Sequence, residues 1–248
     1  LTKVSIMEIE NSKRLRFIVR RHEIKDGDRL TDEGYENAIT IGDFQRMHDE
    51  RITAFYHSPL ERARQTAEGM LRGYLGEYDE PIDEQASAYL KISDRLKELD
   101  PPNPDNIKDR NAMFDYWFRN HWDSGSAQMK YSGRKVIDHL ADIIYTHRAE
   151  EDGSIIENVT HAPNIESAVI QLIGCNPSLE EIGGCLNTGE AFSLNVDYGN
   201  LKEHQLVYQL GVSFRDKETE VPLDKVIPFG YKNGIPLFTP NGTCLVLI

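Results

Sequence analysis

A chain of 248 residues with 39% hydrophobic and 28% charged side chains has the composition of an ordinary globular protein. It is long enough to bury roughly 73% of its unfolded surface, so a full core can form without disulfide or metal staples. Its 41 acidic residues against 28 basic ones leave a net charge of −13, which excludes general nucleic-acid binding and adsorption to anionic membranes. Three cysteines, Cys175, Cys185 and Cys244, with no C-x-x-C pair, read as reduced, buried thiols of a cytoplasmic protein. The longest apolar runs, such as Leu15 to Val19, are far short of a bilayer span, and no signal peptide opens the chain. A start at Leu1 fits a processed chain or one domain of something longer.

Residues 1–14 alternate weakly and predict an edge strand or a loose arm. Residues 16–20 form a short apolar run flanked by charge, a buried strand. A turn containing Asp26, Gly27 and Asp28 follows. Thr31 then precedes an acidic first turn and Ala38, Ile41 and Phe44 at helical spacing. Residues 52–56 predict a second strand, and Ser58-Pro59 a helix start with Pro in its first turn, carrying Leu60, Ala63, Ala67 and Leu71. This alternation of strand and helix points to an α/β sheet.

The middle is less regular. Residues 81–91 predict a strand, and Pro101-Pro102-Asn103-Pro104 a break. The aromatics Phe114, Tyr116, Trp117, Phe118 and Trp122 predict a helical insertion, around 101–130, packed over the sheet. An amphipathic helix over 133–148, a strand over 155–160 and a helix over 163–173 follow. Strands are expected at 192–196 and 205–208, ahead of a tail, 212–248, that the pattern does not resolve. The sequon at Asn158 lies in an apolar strand, where a glycan would not fit; a second is at Asn241. No linker divides the chain, so one domain over 1–248 is expected.

Three segments place polar residues directly after an apolar strand: Arg20-Arg21-His22-Glu23, His57-Ser58-Pro59-Leu60-Glu61-Arg62, and His161-Ala162-Pro163-Asn164. In an open α/β sheet such strand ends line the ligand crevice. Arginine forks hold phosphate oxygens, and an imidazole among them can attack phosphorus. Alone, each segment is weak: a histidine after a strand is usually structural, and an Arg-rich first turn is usually a solvated face.

In combination and order, the segments resemble the histidine phosphatase superfamily, the phosphoglycerate mutase-like family. The Arg-His-Gly nucleophile motif is matched by Arg21-His22-Glu23, and Leu-Thr-x-x-Gly-x-x-x-Ala by residues 30–38. The block Ser-Ser-Pro-Leu-x-Arg-Ala-x-Gln-Thr-Ala is matched by residues 57–67, and the closing strand–His–Gly in outline by Val159-Thr160-His161-Ala162. The resemblance implies a three-layer α/β/α sandwich with a mostly parallel central sheet. It implies His22 as a nucleophile that becomes phosphohistidine, Arg21 and Arg62 as the phosphoryl clamp, and His161 completing the pocket. Leu96-Lys97-Glu98-Leu99-Asp100 resembles the family's acid segment, which makes Glu98 the candidate general acid; Asp100 is its nearest rival, and Asp83 and Glu84 fit less well.

Two departures stand out. Glu23 replaces the family glycine: pointing inward it would repel a dianion, and pointing outward it would touch a cationic part of the substrate or be solvated. Ala162 replaces the second glycine. His57, in place of a Ser or Thr, is either a further substrate contact or turned to the other face of its strand, and Arg20 should face away from Arg21. The implied activity is a metal-independent phosphatase acting on a small phosphorylated substrate or a phosphopeptide. No cofactor, metal, nucleic-acid or membrane partner is expected, and an exposed edge strand would support a homodimer. The alternatives are a catalytically weak scaffold of the same fold and, with less support from the short turn after His22, a phosphoglycerate mutase.

Overall fold

The apolar run at residues 15–19 pairs on both sides, and that pairing organises the molecule. The computed structural model describes residues 10–78, 82–98, 107, 109–120, 122, 129–176, 178–201, 204–227, 235–238 and 244–247. The strands are β1 (Glu10–Arg21), β2 (Lys25–Asp26), β3 (Arg29–Leu30), β4 (Ile52–His57), β5 (Leu90–Ile92), β6 (Ile155–Thr160), β7 (Ala191–Leu201), β8 (His204–Phe214), β9 (Lys217–Glu220), β10 (Ile235–Phe238) and β11 (Cys244–Leu247). The helices are α1 (Asp32–Met47), α2 (Glu61–Leu75), α3 (Glu84–Ser87), α4 (Arg110–Asn120), α5 (Met129–Thr146), α6 (Asn164–Ile173) and α7 (Leu223–Val226), with a 3-10 turn at Asp94–Leu96.

The main sheet runs β10-β11-β8-β7-β1-β6-β4-β5, with β9 also on β8. β1, β6, β4 and β5 are mutually parallel, and β7 continues the sheet antiparallel to β1. Every residue of β6 is buried, as expected of a parallel strand covered on both faces. On one face Ile18, Phe55, Val159 and Ala38 pack with Ala63, Ala67, Met70 and Leu71 of α2. On the other, Phe17, Val19 and Ile156 pack with α5, α6 and the α4 aromatics Phe114, Trp117 and Phe118. The result is an α/β/α sandwich whose parallel strands hold the centre. No described helix is long and apolar enough to cross a membrane.

Several elements differ from expectation for local reasons. Residues 10–14 are neither an edge strand nor an arm: they begin β1, paired with β7 inside the sheet; residues 1–9 lie outside the described set. α2 starts at Glu61 rather than at Ser58-Pro59, because the Ser58 amide is still held by the Val159 carbonyl at 3.0 Å and Leu60 stays extended. Residues 84–87 are helical, not strand. Asp83 caps them by accepting from the Ala86 amide at 2.6 Å, and only residues 90–92 are β. β7 and β8 outrun their apolar runs because they pair with each other from Phe192–Phe214 to Leu201–His204, and β7 also pairs with β1, where Asp197 takes Arg14 at 2.6 and 2.8 Å. Asn158 is buried, its amide donating to the Ile18 carbonyl at 2.9 Å and accepting from His139 at 2.9 Å, so its sequon cannot carry a glycan. Asn241 lies outside the described residues. Cys175 and Cys185 pack against the core.

α1 and α2 cross with their backbones nearly touching. A Cβ on Gly73 would fall onto the Ile39 carbonyl oxygen and lie 2.7 Å from the Asp43 amide nitrogen. Backbone cannot yield as a flexible side chain does, so Gly73→Ala should destabilise the fold by about 1–3 kcal/mol, a fall of several degrees in Tm. Thermal unfolding followed by circular dichroism checks this, and an unchanged Tm would contradict the close crossing.

Candidate active site

The parallel register brings three strand ends to one line. β1 and β6 end opposite each other at Arg21 and Thr160, and β4 ends at His57 opposite Val159. The His22 amide donates to the Thr160 carbonyl at 3.0 Å, which sets His22 beside His161. Their ring centroids are 5.1 Å apart at 55°, and both residues are buried.

The His22 ring is oriented at both nitrogens. Nδ1 lies 2.8 Å from the Glu23 carbonyl oxygen, to which it donates. This leaves the Nε2 lone pair to accept from Arg62 Nε–H at 3.3 Å. Arg62 is itself buried at the start of α2. Its outer nitrogens hold Asp28 at 2.6 Å and Glu98, so one guanidinium joins His22 to two carboxylates. Glu98 is positioned by its own loop: Thr160 Oγ1 donates to the Leu96 carbonyl at 2.6 Å and Asn164 Nδ2 to the Lys97 carbonyl at 3.1 Å.

Residues 186–190 close the other side. Arg21 donates to the Leu186 carbonyl at 2.6 Å, and its backbone pairs with Gly189 and Glu190. The Leu186 amide in turn donates to buried Glu166 of α6 at 3.0 Å. Among the described residues neither ring nitrogen of His161 has a hydrogen-bond partner, although the residue is fully buried.

Sequence reasoning and structure part at three residues. The Glu23 side chain neither projects into the site nor reaches solvent. It is buried, turned toward Asn37 of α1 and packed against Gly189. His57 is also buried, its Nδ1 on the Ser58 carbonyl at 2.8 Å and its nearest charges Glu68 and Arg64 of α2, so it takes the other face of its strand. The Ala162 methyl belongs to the core rather than the pocket wall. Arg20 faces away from Arg21, as strand alternation requires, and donates to the Gly189 carbonyl and to Glu157. Asp83 caps α3, and Asp100 is outside the described residues. Lys25 and Asp28 were not singled out, yet both act at the site: Lys25 sits close enough to shift both imidazoles, and Asp28 pairs with Arg62. The signal that could have found them is the two-residue Gly27–Asp28 loop, which folds this segment back over the end of β1. Among the described residues no group of three or more His, Cys, Asp or Glu is placed to hold a metal ion.

Two guanidiniums and two imidazoles thus converge at the carboxyl ends of parallel strands, the usual place of a ligand crevice in an α/β protein. The chain belongs to the histidine phosphatase superfamily, branch 1, whose family model matches residues 16–189. No curated protein matches the sequence. Among solved structures, a mycobacterial glucosyl-3-phosphoglycerate phosphatase superposes with a TM-score of 0.53 at 15% identity, covering 75% of this chain and 91% of that one. The structure titled Mycobacterial hydrolase 2 gives 0.54 at 15% identity, covering 75% and 82%. These likenesses show the shared fold.

Burial, then the Arg21, Arg62 and Lys25 charges, push His22 down to about 3. Burial likewise pushes His161 well below its ordinary value and His139 down to about 4. In the unfolded chain each titrates near 6.5. Below that pH the unfolded state binds protons that the folded state refuses until about 3 to 4, so stability falls as pH drops through this window. Burial raises the Glu23 carboxyl, which works in the opposite direction but is one group against three. Tm should therefore fall between pH 7 and pH 5; a Tm flat or rising over that interval would show that these imidazoles are not held neutral.

Proposed function

We propose that the protein is a metal-independent phosphatase that hydrolyses a phosphomonoester through a phosphohistidine on His22. The observation that carries this reading is the His22 ring: its proton is committed to the Glu23 carbonyl, so Nε2 keeps a lone pair in the pocket of Arg21, Arg62 and His161. Nε2 attacks phosphorus while the ester P–O bond breaks, and the leaving oxygen takes its proton from the Glu98 carboxyl. Water then gives a proton back to Glu98 and attacks phosphorus; the P–N bond breaks, releasing phosphate and neutral His22. The spread negative charge of the transferring group meets two guanidiniums and an N–H of His161. Phosphoryl oxygens replace the carboxylates now on Arg62, which frees Glu98 to serve the leaving group.

Release of p-nitrophenol from p-nitrophenyl phosphate tests the assignment. His22→Ala should reduce it to the uncatalysed level, and Arg62→Ala should cost about 10²–10³-fold in kcat. Turnover that survives His22→Ala would refute a phosphohistidine at this residue.

One observation favours the second reading, a catalytically weak scaffold: both outer nitrogens of Arg62 already carry carboxylates. The exposed Asp28 is the more easily displaced. If the protein is a phosphatase, Asp28→Asn should tighten orthovanadate binding by roughly two- to fivefold, the scale of an exposed ion pair. A scaffold would bind no orthovanadate before or after the substitution.

A further inference from the structure

Glu23 stands where the family pattern has glycine, and glycine could form none of the side-chain contacts seen here. Its carboxyl lies within electrostatic reach of Asn37 on α1. It also packs so closely on Gly189 that a Cβ there would overlap Glu23 Oε1, and Gly189 has φ +71°, a conformation glycine adopts without cost. Beneath it Arg20 donates to the Gly189 carbonyl at 2.8 Å and to Glu157 at 3.1 Å, and Glu157 also accepts from Gln45 at 2.5 Å. The Glu23 backbone is fixed as well: its amide donates to Thr66 Oγ1 at 3.1 Å, and Thr66 Oγ1 donates to the Arg62 carbonyl at 2.9 Å. The same residue's carbonyl accepts the His22 Nδ1 proton at 2.8 Å.

We infer that Glu23 is a positioning residue: its buried side chain, anchored between Asn37 and Gly189, fixes the peptide whose carbonyl holds the nucleophile in its Nδ1–H tautomer. This rests on the reading of His22 as nucleophile for its catalytic meaning, but not for its structural one. A neutral imidazole has two tautomers, and the acceptor at one nitrogen decides which is populated. Only the Nδ1–H form leaves Nε2 free to attack. A residue held at its amide and its side chain cannot rotate its carbonyl away from the ring, whereas a side chain without the anchor leaves that orientation to the amide contact alone. The Arg21 and Arg62 guanidiniums donate to the Leu186 carbonyl, Asp28, Glu98 and His22, while Gly189 meets Arg21, and Thr66 meets Arg62, only at their backbones. Loss of the anchor should therefore act on turnover and not on substrate affinity.

The test uses the full chain labelled with 15N-histidine, with long-range 1H–15N spectra assigned through His22→Ala, alongside p-nitrophenyl phosphate kinetics. The wild type should show His22 as the Nδ1–H tautomer alone. Glu23→Ala should show a mixture with the Nε2–H form and a kcat lower by about tenfold, the scale for lost orienting partners, with KM within about twofold. Glu23→Gln, whose amide can still reach Asn37, should retain the wild-type tautomer and most of the turnover. Asn37→Ala, which leaves Glu23 in place, should reproduce the mixture, and decides the question if Glu23→Ala does not fold. A pure Nδ1–H tautomer in both Glu23→Ala and Asn37→Ala would overturn the inference, as would a kcat loss matched by an equal rise in KM. If the wild type has no phosphatase activity, the spectra still decide the role of Glu23, and the functional reading fails separately.

Discussion

The hydrogen bond from the His22 amide to the Thr160 carbonyl, at 3.0 Å, fixes where everything else at the site must be. It extends the β1–β6 pairing one residue past the last strand residues, Arg21 and Thr160. On the far side of β6 the Ser58 amide makes the same kind of bond to Val159. Parallel strands end in step, so the segments that leave them start from neighbouring points on one edge of the sheet. The first supplies His22, the second turns into α2 and delivers Arg62, and the third supplies His161. A slip of one residue in β6 would turn His161 to the opposite face. The buried aliphatic residues of β6, packed on both faces, are what prevent it.

Electrostatically, the pocket is a compensated charge cluster inside an acidic protein. Arg62 is buried and would be costly alone, and Asp28 and Glu98 offset that cost. The imidazoles escape the cost by staying neutral. Burial and the nearby cations act in the same direction on His22 and His161, so the cations that line the site also favour the neutral form of both imidazoles. The net charge of −13 therefore need not oppose an anion inside the site. Screening shortens the reach of surface carboxylates to about 8–10 Å, while contacts inside the buried cluster are little screened.

Much of this architecture was legible because it is local or carried by ordered blocks. The apolar runs marked β1, β4 and β6, and the polar residues after them marked His22, Arg62 and His161. What escaped depends on partners distant in the chain. Nothing near Glu23 reveals that its carboxyl turns to Asn37 and Gly189. The lengths of β7 and β8 depend on their pairing with each other and on β1, which meets β7 as far as Glu10 opposite Asn200, and an apolar run alone understates them. The start of α2 was misplaced because Ser58-Pro59 is a good local helix signal, and the overriding contact, Ser58 to Val159, is tertiary. Lys25 and Asp28 sat in a turn whose composition reads as solvent-facing. Both are indeed exposed, and only the folding-back of the hairpin gives them a role.

The strap formed by residues 186–190 has a kinetic meaning as well as a geometric one. Its contacts to Arg20 and Arg21 join positions 169 and 165 apart in sequence. Such pairings close long loops and belong to the slow part of folding. A chain in which they had not closed would carry His22 at the end of β1 without the Gly189 wall that Glu23 packs against. Completion of the pocket is thus tied to these long-range closures rather than to any local element.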